Sequence, residues 1–210
     1  MSWLLVIISY LIGAIPFGYI IVRIAGSGDI RQAGSGNVGA TNAWRTAGPL
    51  AGILVLVFDI VKGISAVLLA ALVAPPIDPE IFKLLCGVAA IVGHVFPVYL
   101  RFRGGKGVNA ALGVMVLLLP LEILAAVVVF ILTVLVSRFV SLGSILAAVT
   151  LCVLVFAERI FDLREMHLIY LPVTLFLALF IIYTHRSNIG RLLVGRENKF
   201  NLHAREDVGS

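Results

Sequence analysis

Three polar clusters in this chain have residue types and spacing that could do chemistry. The first is the run Gly34-Ser35-Gly36-Asn37-Val38-Gly39-Ala40-Thr41-Asn42-Ala43-Trp44-Arg45. Gly34, Gly36 and Gly39 permit positive φ, which turns successive backbone N–H groups toward one point. Ser35, Asn37, Thr41 and Asn42 add side-chain donors, Arg45 adds a planar cationic fork, and no carboxylate interrupts the run. The combination predicts an oxyanion or phosphate cradle. A plain linker between two spans would also favour Gly, Ser and Asn, but has no use for so many donors.

The second cluster is Gly93-His94-Val95-Phe96-Pro97, followed by Phe102-Arg103-Gly104-Gly105-Lys106-Gly107. A basic, glycine-rich turn that opens a helix offers N–H groups and the positive end of the helix dipole to an anion. It is not a P-loop. No glycine stands five residues before Gly105, and Gly107 occupies the place of the Ser or Thr that would hold magnesium. His94 alone reads as a packed polar side chain. The third cluster is His185-Arg186-Ser187-Asn188-Ile189-Gly190-Arg191, continuing to Gly195-Arg196-Glu197. If the last helix runs on through it, the spacing puts His185, Asn188 and Arg191 on one face. By itself the segment also suits a basic tail that touches anionic lipid.

The elements that must position these clusters are set by an unusual composition. The chain has 210 residues, of which 61 % are hydrophobic and 13 % charged, and its mean hydropathy is +1.12. Soluble domains average about 45–50 % apolar and about 25 % charged. A soluble globule of this size could not bury so much apolar surface, so this reads as an all-α, polytopic integral membrane protein. One integral domain over 1–210 is expected, with no room for a soluble partner domain. The N-terminal stretch lacks a basic flank and a small-residue cleavage site, so it reads as an uncleaved first span. Cys86 and Cys152 sit in apolar runs, far from metal-ligand spacing, and read as small packed hydrophobes.

Candidate spans cover residues 3–25, 49–74, 81–100, 107–119, 121–137, 141–157 and 167–184. The fourth is short and is followed by Pro120, so residues 107–137 form either one kinked span or two short ones. Charge separates these readings. Of the 16 Lys and Arg, Lys62 lies within a span; seven spans put 12 of the others on one face and 3 on the other, and six spans split them 8 to 7. Cationic loops resist translocation, so seven transmembrane helices are expected, with the N-terminus outside and the C-terminus cytosolic. The net charge of +5 fits that bias. The cytosolic face then gathers loops 26–48, 101–107 and 137–141 and the tail 185–210. Ser141 begins a span at that edge. Asp59 and Lys62, at i and i+3 inside the second span, are expected to pair with each other or with a neighbouring helix.

At the three clusters the sequence resembles the bacterial acyl-phosphate:glycerol-3-phosphate acyltransferases, the PlsY family. The match lies in residues 34–42 with Arg45, in 93–97 with 104–108, and in 185–191 with Gly195 and Glu197. Order and spacing fit along nearly the whole chain. One departure is Asn109-Ala110, where the family usually has Ala-Thr. The resemblance implies that a fatty acyl phosphate donates its acyl group to the 1-hydroxyl of sn-glycerol 3-phosphate. Lysophosphatidic acid and phosphate leave, the first step of phospholipid synthesis. It further implies Ser35, Arg45, Lys106, His185 and Asn188 as catalytic residues. Gly36, Asn37, Gly39, Thr41, Asn42, His94, Gly104, Gly105, Gly107, Ser141, Arg191 and Glu197 are implied in substrate binding.

An acyl phosphate is already activated, so direct attack by the glycerol hydroxyl needs no acyl-enzyme. Arg45 and Lys106 would neutralise the phosphates, and N–H groups around 36–39 and 104–107 would cradle them. The proton goes to the departing phosphate or to His185. The other glycerol-phosphate acyltransferase type carries Asp five positions after a His; His94, His167, His185 and His203 all lack it. Two other classes share some features. An anion transporter would want matched broken helices near the midplane, and a metal-dependent phosphatidyl-alcohol transferase would want convergent carboxylates. No metal and no cofactor are expected. The expected partners are the two substrates and the bacterial inner-membrane bilayer, with no nucleic acid, and the expected state is a monomer.

Overall fold

The structure, a computed structural model, describes residues 2–201. The rest of the tail, with His203, lies outside the described residues. Ten α-helices and two 3₁₀ turns appear among them, and no strand. The first apolar stretch forms α1 (Leu4–Ala14) and α2 (Phe17–Ile24), broken at Ile15-Pro16, because proline lacks the N–H and crowds the preceding turn. A short α3 (Ala40–Ala47) precedes α4 (Pro49–Ala71) and α5 (Pro79–Val95). Pro49 and Pro79 stand in the first turns of α4 and α5, where the missing N–H costs nothing. Asp78 caps α5, its Oδ1 accepting from the N–H groups of Glu80 (2.9 Å) and Ile81 (3.1 Å).

The chain continues through α6 (Val108–Leu118), α7 (Pro120–Ser137), α8 (Val140–Ile160), α9 (Tyr170–Thr184) and α10 (Arg186–Leu193). Five stretches are long and apolar enough to cross a membrane: Leu4–Ile24, Pro49–Ala71, Pro79–Leu100, Pro120–Ser137 and Val140–Ile160. A sixth arises if α9 and α10, bent by 60°, count as one. With 11 residues, α6 spans about 16 Å, half of the roughly 30 Å hydrocarbon core. It is a helix distinct from α7, interrupted at Leu119 (φ −138°, ψ 62°) before Pro120. All seven apolar stretches are therefore helical, and five or six satisfy the length of a span.

Two compact units divide the described residues, 2–117 with 201, and 118–200. In the first, helices approach through glycines. A Cβ on Gly13 would strike the Ala90 backbone, and one on Gly93 would strike the Tyr10 carbonyl, so α1 and α5 touch nearly backbone to backbone. The same exchange joins α4 to α6: Gly63 faces the Ala110 carbonyl, and Gly113 faces that of Ile60. Without a hydrophobic drive between helices in lipid, such close packing holds them together. At one end of the unit, Val22, Ile30, Val38, Ala43, Val55 and Leu100 form a buried cluster. It seats the 26–48 loop and the 3₁₀ turn Val98–Leu100 on the same end. At the other end, Ser2 Oγ donates to the Ala74 carbonyl at 3.0 Å.

In the second unit, Gly143 of α8 packs against α7, where an added Cβ would come within 3.0 Å of the Phe130 and Val134 side chains. Ser144, Thr133 and Ser137 donate to carbonyls four residues back, so their hydroxyls stay satisfied within apolar helices. At the end away from Ser141, buried Glu122 accepts from Arg164 Nη2 at 2.7 Å.

Gly63→Ala and Gly113→Ala are each expected to cost about 1–3 kcal/mol, because the added methyl meets backbone that cannot step aside. Gly190→Ala, with open space around its Cβ, should leave stability unchanged or slightly raised. Thermal unfolding in detergent measures all three.

Candidate active site

The loop of the first cluster is built around one amide. Asn42 is buried on α3, and its Oδ1 accepts from the Ser35 N–H at 2.8 Å. Its Nδ2 donates toward the carbonyls of Asn37 (2.8 Å), Ala33 (3.0 Å) and Ile30 (3.2 Å). Both amide protons are thus committed to the loop. Asn42 folds the cradle rather than offering a donor to a ligand. Gly34 lies at φ +58°, and a Cβ there would overlap Asn42 Oδ1. Two of the expected cradle amides are also used internally: Gly36 N–H donates to the Ala33 carbonyl (3.0 Å) and Gly39 N–H to Asn37 Oδ1 (2.9 Å).

What this scaffold carries outward is Ser35, exposed, and the half-buried Thr41 and Arg45. Thr41 and Arg45 stand four residues apart on α3, hence on one face. Ala40 and Thr41 open α3, where the first amides of a helix lack intrahelical acceptors. A carboxylate of the same loop is engaged. Asp29 pairs with Arg31 at 2.6 Å, and that hydrogen bond holds its pKa down to about 2.

The second cluster folds back on the end of α5. Gly104 N–H donates to the Val95 carbonyl (3.0 Å) and Gly105 N–H to the His94 carbonyl (3.1 Å). These amides close α5, correcting the expectation that they cradle phosphate. Arg101 and Phe102 take left-handed φ of 53° and 61° to make the turn. Gly107, at φ +87°, starts α6. Lys106 is half-buried between buried Gly105 and Gly107. His94 is not solitary. Its Nδ1 lies 3.4 Å from Asp59 Oδ1, which Lys62 Nζ also meets at 2.8 Å. The i,i+3 pair is legible in the sequence, but its meeting with His94, 35 residues on, leaves no linear signal.

In the second unit, four expected site residues converge. Glu197 Oε1 accepts from Asn188 Nδ2 (2.6 Å) and Ser141 Oγ (2.8 Å), and Oε2 from Arg191 Nε (2.7 Å). Phe200 N–H donates to the Arg138 carbonyl at 2.7 Å, which pins the tail to the turn before α8. Burial pushes the Glu197 pKa up, but the bonds from Asn188, Ser141 and Arg191 outweigh it and hold the carboxyl below its ordinary 4.5. His185 departs from expectation. The helix does not run through it; the chain bends there, and only Asn188 and Arg191 share α10. The buried ring sits with Nδ1 2.8 Å from the Ile181 carbonyl. A carbonyl only accepts, so Nδ1 carries the proton and Nε2 is the basic atom of the neutral ring.

An apolar helical body with cation-bearing glycine loops defines the class, an integral membrane acyltransferase, once the comparisons are added. The family model for glycerol-3-phosphate acyltransferase matches residues 3–195. The chain belongs to that family, the PlsY acyltransferases. Relatives named glycerol-3-phosphate acyltransferase include one from Syntrophotalea carbinolica, 43 % identical and covering 94 % of this chain and 97 % of that one. Another, named glycerol-3-phosphate acyltransferase 2, from Bacillus anthracis, is 42 % identical and covers 95 % and 99 %. Two crystal structures of PlsY (YgiH), an integral membrane glycerol 3-phosphate acyltransferase, are similar. Its glycerol 3-phosphate form has a TM-score of 0.84 at 36 % identity, with 95 % of this chain and 96 % of that one covered. Its lysophosphatidic acid form has a TM-score of 0.81 at 35 % identity, covering 96 % of both. The protein is thus a multi-pass membrane enzyme of phospholipid synthesis, which removes the transporter and the phosphatidyl-alcohol transferase readings.

Because the Glu197 carboxyl is depressed, the stability it contributes is full above pH 4.5 and is lost as pH falls through its lower folded value. Trypsin cleavage after Arg196 is expected to stay slow from pH 8 down to about pH 5. In Glu197→Ala, which removes the carboxylate that Asn188, Ser141 and Arg191 share, cleavage at neutral pH should accelerate at least tenfold, a gap of about 1.4 kcal/mol in local opening.

Proposed function

We propose that the enzyme transfers the acyl group of a fatty acyl phosphate to the 1-hydroxyl of sn-glycerol 3-phosphate, releasing lysophosphatidic acid and inorganic phosphate. The observation that carries the donor assignment is the shared mounting of Arg45 and Lys106. Both cations stand on backbone seated at one end of the first unit, the loop through Ile30, Val38 and Ala43 and the turn through Leu100. Two fixed cations suit a reaction in which donor and acceptor each carry a phosphate. An acyl-CoA donor would place no phosphate at the reacting carbonyl.

The glycerol hydroxyl oxygen attacks the acyl carbonyl carbon, a new C–O ester bond forms, and the bond from that carbon to the phosphate oxygen breaks. Arg45 and Lys106 neutralise the phosphates and the oxyanion that develops on the carbonyl. Ser35, Thr41 and the opening amides of α3 orient the donor phosphate. Asn37, Asn42, Gly36, Gly39, Gly104, Gly105 and Gly107 serve this by holding the loops. Asn188 and Arg191, fixed by Glu197 with Ser141, orient the acceptor. The hydroxyl proton leaves with the departing phosphate, whose second ionisation lies near neutrality. A second reading makes His185 the base, favoured by the Nδ1 contact to Ile181, which leaves Nε2 as the proton acceptor. A kcat profile whose acid limb disappears in His185→Gln supports the base; an unchanged limb supports the phosphate.

The reading includes seven spans in the inner membrane, the N-terminus outside, the tail and active-site loops cytosolic, and a monomer within one functional domain. Cysteine labelling tests it: Ser35→Cys and Ser187→Cys should react from the cytosolic side, and labelling from opposite sides refutes the topology. No metal is required. Among the described residues no three His, Cys, Asp or Glu side chains gather to hold one.

Purified enzyme in detergent should use acyl phosphate at full rate in EDTA and show little activity with acyl-CoA. Arg45→Lys and Lys106→Ala should each lose about ten- to 150-fold, the worth of a charged contact of roughly 1.5–3 kcal/mol. Arg196→Ala should be nearly silent. Near-wild-type kinetics for both Arg45→Lys and Lys106→Ala would reject the two-phosphate site.

A further inference from the structure

Three ionisable side chains are buried in the first unit: Asp59 at 1 %, Lys62 at 3 % and His94 at 7 % exposure. Charges inside a span are costly, and an apolar trio of the same volume would pack α4 against α5 at least as well. Their arrangement is also poor as a pure stabiliser. Both contacts to Asp59 fall on Oδ1, while Oδ2 is buried without a hydrogen-bond partner. What the cluster does hold is direction. Lys62 Nζ donates to the Ile15 carbonyl at 3.1 Å, the carbonyl at the α1 break before Pro16. Asp59 fixes one edge of the His94 ring. The opposite edge lies against Gly105, where a Cβ would overlap His94 Nε2. The His94 carbonyl also takes the Gly105 N–H at 3.1 Å.

The peptide that leads into Lys106 therefore rests on both the ring and the backbone of His94. We propose that Asp59, Lys62 and His94 are positioning residues for Lys106, acting through Gly105. This rests on the assignment of Lys106 to a substrate phosphate. Asp59 sets the ring angle, Lys62 ties the carboxylate to the broken first helix, and the ring sets the height of the turn. None of the three touches the reacting atoms.

The test is a mutant cycle on the full chain in detergent, read as initial rates over both substrates together with the unfolding midpoint. Gly105→Ala drives a methyl into the ring and should lower kcat/KM about 100-fold, the cost of roughly 1 Å of misplacement. His94→Asn keeps a donor near the Nδ1 position for Asp59 but clears the Nε2 edge, and should lose only a few-fold. Combined with Gly105→Ala it should recover about tenfold of the loss. Asp59→Leu with Lys62→Met removes both charges together, so no buried charge is left unpaired, while His94 Nδ1 and the Ile15 carbonyl each lose one contact. The double variant should keep its midpoint within a few degrees and still lose at least tenfold in kcat/KM. Losses of Gly105→Ala and His94→Asn that multiply, or a folded Asp59→Leu/Lys62→Met enzyme at the wild-type rate, overturn the proposal. Lys106→Ala run alongside separates the two readings. If it is near wild type, the phosphate role falls and the positioning role with it; if it is inactive while the losses multiply, only the positioning role falls.

Discussion

Hydrocarbon cannot hydrogen-bond, so a polar group that this chain carries into the membrane is costly unless it finds a partner within the protein. That constraint shapes more of the molecule than helix propensity does. It turns a few buried polar side chains into hubs, each collecting several partners that sequence distance keeps apart. Asn42 gathers the backbone of residues 30–37, Asp59 gathers Lys62 and His94, and Glu197 gathers Ser141, Asn188 and Arg191. Leaving one member of such a hub unpaired costs its full desolvation, which is why a hub fixes geometry more firmly than its net stability suggests.

The hubs work because the helices beneath them come close. Glycine on α1, α4, α5 and α6 lets backbones meet, and this rigid base holds the ends of α2, α4 and α5 together. The loop of residues 26–48 then lies over a small apolar cluster instead of floating in solvent. A carbonyl of that loop, Val38, crosses α2 where only Gly18 allows it, since a Cβ there would strike the carbonyl oxygen. Apolar packing thus sets the height of the loop, hydrogen bonds to Asn42 set its shape, and the cations follow from both.

This division of labour suits acyl transfer from an activated donor. Such a reaction asks for no covalent nucleophile and little acid–base power; it asks that two anions be held together and that charge developing on a carbonyl oxygen be met by groups already in place. In the proposed reaction, preorganised cations on a stiff scaffold would supply that. Flexible loops would have to reorganise at each turnover, and the effort visible in the structure goes into preventing it, with many loop amides tied to the scaffold instead of aimed outward.

The amino-acid sequence by itself determined the membrane character, the seven helical stretches, the three motif-bearing segments and the family. These follow from composition, from apolar run length and from local residue types, all of which are readable along the chain. It also determined that Asp59 and Lys62 would pair, because one helical turn separates them. Tertiary structure decided the rest. Asn42 proved to be a strut and the amides of Gly36, Gly39, Gly104 and Gly105 proved to be tied inward, since whether a donor faces a ligand or its own loop depends on how the loop closes. The 60° bend between α9 and α10 falls at His185, so no single helix runs from the last apolar stretch through Asn188 and Arg191. The meetings of His94 with Asp59 and of Ser141 with Glu197 join residues 35 and 56 positions apart. Burial is a property of the folded whole, and only there does a costly polar group acquire the partner that explains it.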